Sequence, residues 1–215
     1  MGLAMTPEPA AALEIRPAAT VVLWRPSLAG PQVLMGQRGA HAAFMPSKYV
    51  FPGGAVDADD ENTSCALTLH AACWQRLDLD RPPKSASPRA IVAAAVRELW
   101  EETGLQLTGN HQTGHPLRFI FRAITPPGRS RRFDARFFLA DAASVTGNPE
   151  DFSAASDELS HLHWIGLTQA RALDLPFITE VVLAEIGQLL RCDPTSAGVP
   201  FFDNSGHVPT FRRLD

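Results

Sequence analysis

Hydrophobic and polar positions change period several times along the chain, and each change marks an element. Residues 18–24, AATVVLW, form a β-branched apolar run that predicts a strand, stopped by Arg25-Pro26. A second strand is expected over 32–38, QVLMGQR, after a Gly-Pro turn. Tyr49-Val50-Phe51 is a short apolar stretch halted by Pro52-Gly53-Gly54. Between 62 and 80, Leu67, Leu69, Ala71, Ala72, Trp74 and Leu77 fall at helical spacing. The segment 81–88, RPPKSASP, reads as a linker whose last two residues place a cap serine before a proline at the first helical position. The helix begun there is expected to run to Thr103 and stop at Gly104. Strand-like runs recur at 117–124, 133–140 and 161–166, and a closing helix is expected over 179–191. Many strands with two clear helices predict an α/β or α+β class with a mixed sheet.

Composition narrows the function classes. With 215 residues, 45% of them hydrophobic and 20% charged, the chain suits one globular domain. A net charge of −4 gives no global attraction to nucleic acid, so no nucleic-acid partner is expected. No apolar run approaches the ~20 residues a membrane-crossing helix needs, and residues 1–16 read as a flexible leader without the apolar core of a secretion signal. A cytoplasmic protein follows, with a homodimer as one assembly it allows. Three cysteines, Cys65, Cys73 and Cys192, make no disulfide framework.

The stretch 93–105, AAAVRELWEETGL, carries the chemistry. At ~100° per residue, Glu98 and Glu102 lie about 40° apart, with Glu101 about 60° to the other side of Glu98. Three carboxylates therefore crowd one face near a helix C-terminus, where they repel one another and the helix dipole disfavours anions. A hard divalent cation removes that conflict, since Mg²⁺ takes oxygen ligands and commonly a bound phosphate. Behind them Val92, Ala95, Val96 and Leu99 form an apolar stripe, and Arg97 stands four residues before Glu101, the spacing of a helical ion pair.

These residues also resemble a known pattern. Arg97-Glu98-Leu99-Trp100-Glu101-Glu102-Thr103-Gly104-Leu105 is similar, at every fixed position, to the second half of the Nudix box. Phe51-Pro52-Gly53-Gly54 looks like the entrance to its first half. The resemblance implies a Nudix-type α/β/α sandwich with a mixed β-sheet. It implies Mg²⁺ or Mn²⁺ held by Glu98, Glu101, Glu102 and the backbone at Gly54, and hydrolysis of a nucleoside diphosphate linked to another moiety. Gly54 and Arg97 stand 43 positions apart, so about 29 residues must then be an insertion, read as a helical cap and linker over 58–88 at the pocket mouth. The glutamate expected at position 89 is an arginine here.

A long insertion directly after Phe-Pro-Gly-Gly is similar to the peroxisomal type of coenzyme A diphosphatase. Leu34-Met35-Gly36-Gln37-Arg38 and Phe51 keep the register of that branch's coenzyme A motif, while Ala43 and Ser47 stand where it has an arginine and a glycine. The expected substrate is a small nucleoside diphosphate conjugate, with coenzyme A or acyl-CoA the first candidate. ADP-ribose, NADH or a nucleoside triphosphate, and a non-catalytic ligand-sensing module, are the alternatives. Arg38, Arg129 and Arg132 are the candidate substrate contacts, the last two belonging to the densest basic cluster of the chain. Glu102, Glu101 or Glu158 would serve as base toward the attacking water.

Overall fold

The computed structural model describes residues 13–65, 67–108, 115–192, 198–206 and 208–215. One mixed sheet organises them. Strand β1 (Ile15–Arg25) runs parallel to β6 (Arg132–Asp141), which pairs antiparallel with β5 (Leu117–Ile124). Beyond β5 lie β8 (Val199–Asp203), parallel to it, and the edge strand β9 (Thr210–Leu214). On the other side, β1 meets β2 (Gln32–Arg38) only at Trp24↔Val33 and Arg25↔Gln32. The two then splay apart, and the short strands β3 (Tyr49–Val50) and β4 (Gly53–Ala55) fill the gap, β3 on β2 and β4 on β1. Strand β7 (Leu159–Gly166) covers the outer edge of β2.

Period-two alternation sorts the strand side chains onto two faces. Ala19, Val21 and Leu23 of β1 join Phe119 and Phe138 beneath helix α2 (Pro88–Thr103), whose Ile91, Val92, Ala95 and Leu99 are buried. Val22, Ile120, Phe121 and Phe137 face the opposite way, against Val182, Leu183 and Ile186 of helix α3 (Phe177–Cys192). The result is an α/β/α sandwich. Among the described residues no helix is long and apolar enough to cross a membrane.

Several boundaries differ from the sequence expectation. Residues 1–12 of the expected leader lie outside the described residues, but Ile15 and Arg16 are strand, paired with Arg132 and Phe133. The helix expected over 62–80 is confined to α1 (Ala71–Asp78), capped by His70, whose Nδ1 accepts from the Ala72 N–H at 3.3 Å. Leu67 and Leu69 are buried, yet from backbone that belongs to no helix, so their apparent helical spacing was coincidental.

The insertion packs beside α2 on the α2 face of the sheet, and none of its described residues from 58 to 88 lines the main cavity. The cap expected at the pocket mouth is therefore a second helix of the outer layer, because Cys73 and Leu77 find their burial in the core beneath α2. Its base is clasped. The Glu61 carboxylate accepts from the Ser87 N–H (2.8 Å) and Oγ (2.7 Å), joining the start of the insertion to the cap of α2.

Candidate active site

Helix α2 opens as its sequence dictates, with Ser87 Oγ accepting from the Ala90 N–H at 3.1 Å and Pro88 in the first turn. It ends at Gly104, whose φ of 74° lies in the left-handed region that closes helices. That abrupt stop leaves the carboxylates of Glu98, Glu101 and Glu102 in the last turn and a half. β4 passes across them. The Gly53 N–H donates to Glu102 Oε2 at 2.7 Å, and a Cβ on Gly54 would fall onto the carboxylate of Glu98. Only a residue without a side chain admits that approach.

Arg97 ties the group together. Its Nη1 donates to Glu98 Oε1 (2.9 Å) and Glu101 Oε2 (3.0 Å), and its Nη2 to the Ala55 carbonyl (3.0 Å). Its Nε and Nη2 also fork onto Asp60 Oδ1 and Oδ2, at 3.0 and 2.9 Å. The hydrogen bonding of Arg97 to the Asp60 carboxylate is the largest of the effects that raise the Arg97 pKa above its ordinary value. Burial pushes the Glu102 carboxyl up to about 8, with the Gly53 N–H opposing and Glu98 adding to the rise. The Glu98 carboxyl is likewise raised by burial, against the pull of Arg97.

The expected metal triad is corrected in one respect. Among the described residues, no three His, Cys, Asp or Glu side chains are gathered into a metal-binding cluster. Glu98 and Glu101 are engaged by Arg97, and Glu102, 1% exposed, is turned to Gly53 instead of the cavity. The chemistry of the donor set nevertheless fits a hard divalent cation. These are buried or half-buried oxygen donors with more negative charge than the single guanidinium offsets.

A cavity of about 880 Å³ opens beside this helix end. Glu98, Glu101, Gly54 and Arg97 line it, as do Arg38, Glu158, Arg129 and Arg131. Glu158 is near enough to add to the upward push on both Glu98 and Glu102. Arg38 brings a guanidinium whose buried Nε has no hydrogen-bond partner among the described residues. Phe44, Phe133 and Phe177 supply apolar wall, with Phe44 packed edge-on to Phe133 at 5.1 Å. The loop bearing Phe44 and the basic hairpin are stitched together where Ser130 Oγ donates to the Ala43 carbonyl at 3.3 Å.

Arg132 is the clear correction among the expected substrate contacts. It is 8% exposed, and its guanidinium donates to the carbonyls of Thr125 (2.9 Å) and Asn204 (2.8 Å). As the first residue of β6 it is drawn inward to join the hairpin to β8, whereas Arg129 and Arg131 at the tip face the cavity. Asp60 was missed by sequence reasoning. Its only signal was the acidic run 57–61, DADDE, which looks like solvated loop.

Residues 88–185, from the first residue of α2 into α3, match the family model of the NUDIX domain. Over that stretch the chain resembles a Nudix domain. Gly53 and Gly54 fall outside that match because the insertion separates them from α2. An acyl-coenzyme A diphosphatase from Gallus gallus is 35% identical, over 38% of this chain and 28% of its own length. The chain thus spans little more than a quarter of that relative. A NUDIX hydrolase from Alicyclobacillus acidocaldarius is 26% identical, with a TM-score of 0.57 over 81% of this chain and 91% of that one. The NUDIX domain of Shewanella oneidensis NrtR, solved with ADP ribose, shares the fold at 14% identity, with a TM-score of 0.55 over 86% and 94% of the two chains.

Proposed function

We propose that this chain is a divalent-cation-dependent hydrolase that cleaves the diphosphate of a nucleoside diphosphate conjugate, with coenzyme A or an acyl-CoA the first candidate. The observation that carries this is one cavity lined by both the acidic end of α2 and the arginines Arg38, Arg129 and Arg131. Carboxylates suit a cation, and guanidinium forks suit phosphate oxygens.

In this reading Mg²⁺ or Mn²⁺ would be held at the cavity wall by Glu98 and Glu101, with the backbone at Gly54 close beside Glu98 and with Glu102 anchoring Gly53 behind them. The chemistry such an ion supplies is neutralisation of diphosphate charge and acidification of water. Arg38 binds a diphosphate oxygen. Glu158, in the loop before β7, accepts the proton of the attacking water, as does Glu101 if the carboxylate is free of Arg97. Glu102, closed off behind Gly53, orients that backbone and does not reach the substrate.

The coenzyme A assignment draws on the basic hairpin, because the 3′-phosphate adds nearly two negative charges at pH 7. It draws also on Ser47. A glycine is expected there from the coenzyme A motif, and Ser47 keeps a left-handed φ of 61°. The relative from Gallus gallus, named as an acyl-coenzyme A diphosphatase, is a third support. A turnover screen over coenzyme A, an acyl-CoA, 3′-dephospho-coenzyme A, ADP-ribose and NADH, with Mg²⁺ or Mn²⁺ and products identified by mass, tests the reading. Cation-dependent cleavage of the diphosphate is the expected result. Cleavage of ADP-ribose alone would remove coenzyme A, and no turnover of any substrate would favour a sensing module.

A further inference from the structure

We infer that Asp60, from the insertion, is a positioning residue for the acidic end of α2, acting through Arg97. The inference rests on the proposed cation-dependent hydrolysis and assigns the insertion a part in it.

The five N–H groups of Arg97 are fully accounted for. Two go to Glu98 and Glu101, one to Ala55, and the remaining pair fork onto Asp60. Asp60 is the only one of the three carboxylates on Arg97 that lies outside α2. It is 2% exposed, and its Oδ2 is fixed in turn by the Asp57 N–H at 2.8 Å. A bidentate fork fixes the plane of a guanidinium as well as its position. The 3₁₀ turn Ala58–Glu61 therefore sets where Nη1 points, and Nη1 holds the two carboxylates that face the cavity.

The charge balance points the same way. Asp60 shares the positive charge of Arg97, so less of it acts on Glu98 and Glu101. Without Asp60 the guanidinium becomes a stronger competitor for the two carboxylates a cation would need. Position 89, on the first turn of α2, is an exposed arginine and supplies no acid for this purpose. Asp57 offers a natural control: it is exposed and only grazes Arg97, at 3.7 Å.

Mn²⁺ binding to the full chain, followed by electron paramagnetic resonance without substrate, tests this. Asp60→Asn should weaken Mn²⁺ binding at least tenfold, while Asp57→Asn, which removes the same charge, should change it less than twofold. In a double-mutant cycle with Arg97→Lys, the two losses should be strongly non-additive, which a merely structural role would not produce. Mn²⁺ affinity in Asp60→Asn within twofold of wild type, or additive losses, would overturn the inference while leaving the hydrolase reading in place. Should Asp60→Asn not fold, Asp60→Glu replaces it: at least a threefold loss supports the inference and wild-type affinity overturns it. A wild-type chain that neither binds Mn²⁺ nor turns over substrate overturns both.

Discussion

Two ionic clusters lie on the α2 side of the sheet, and they are opposites. Around Arg97, one guanidinium is shared by three carboxylates, Asp60, Glu98 and Glu101. Around Asp134, one carboxylate is shared by two guanidiniums. Arg122 forks onto it at 2.8 Å through both Nε and Nη2, and Arg136 meets Oδ2 at 3.0 Å. The first cluster opens on the cavity. The second is sealed: Arg136 has no exposed surface, and burial lowers its pKa to about 10. Backbone carbonyls meet part of its surplus positive charge, those of Leu79 and Asp80 for Arg122 and that of Asp134 itself for Arg136. Nε and Nη2 of Arg136 have no hydrogen-bond partner among the described residues. An unbalanced cluster closed to solvent can only brace the fold. An unbalanced cluster at a cavity wall is a demand for a counter-charge, and that difference separates structural from functional ionisation here.

The comparison can be broken most sharply at Glu98. Glu98→Gln should lower kcat/KM by about 10²–10⁴-fold, as removal of a group acting directly in catalysis does, with the melting temperature held. Unchanged turnover would make the acidic cluster structural as well. Asp134→Asn is the counterpart. Leaving two buried guanidiniums without their carboxylate should cost about 3–5 kcal/mol, or roughly 6–20 °C in melting temperature for a chain of this size, with Mn²⁺ affinity intact.

The third test is pH. Glu102, raised from 4.5 to about 8 by burial, favours the protonated form when folded. Its contribution to stability is therefore complete below its unfolded value and lost as pH rises through 8. The melting temperature of the cation-free chain should fall between pH 5 and pH 9, and Glu102→Gln should flatten that slope. A cation should stabilise most at the alkaline end. The smallest effect is expected at the basic hairpin. Arg129→Ala should narrow the preference for coenzyme A over its 3′-dephospho form by up to about tenfold, the scale of one charge-assisted contact. Arg132→Ala should leave that ratio alone and lower stability instead. A reversal of the two would return Arg132 to the substrate.

How much of this was legible in the chain depended on how locally each feature is determined. Strand β2, helix α2 and strand β5 were readable to the residue, because a Gly-Pro turn, a Ser-Pro start and a Gly stop punctuate clear periodicities. β4 was not, since Gly53-Gly54 reads as a turn until the proximity of Glu98 explains why glycine stands in a strand. β8 contains Pro200, and four of the five β9 residues are exposed at the sheet edge, so neither shows an alternating pattern. The carboxylates of α2 were visible as a motif with a physical conflict. Their restraint by Asp60 was not, because it joins residues 37 apart. Arg132 was misjudged for a related reason: a charge in a basic run carries no mark of which way its strand turns it.

The clasp between Glu61 and Ser87 makes residues 62–86 a detour whose two ends already meet. Lengthening a closed loop costs only about 0.6 kcal/mol for each doubling, so the exposed turn at Pro83-Lys84 is a natural splice point. A reporter or affinity module grafted there would hang from the outer helical layer, away from the cavity, and the end of α2 would not register its weight.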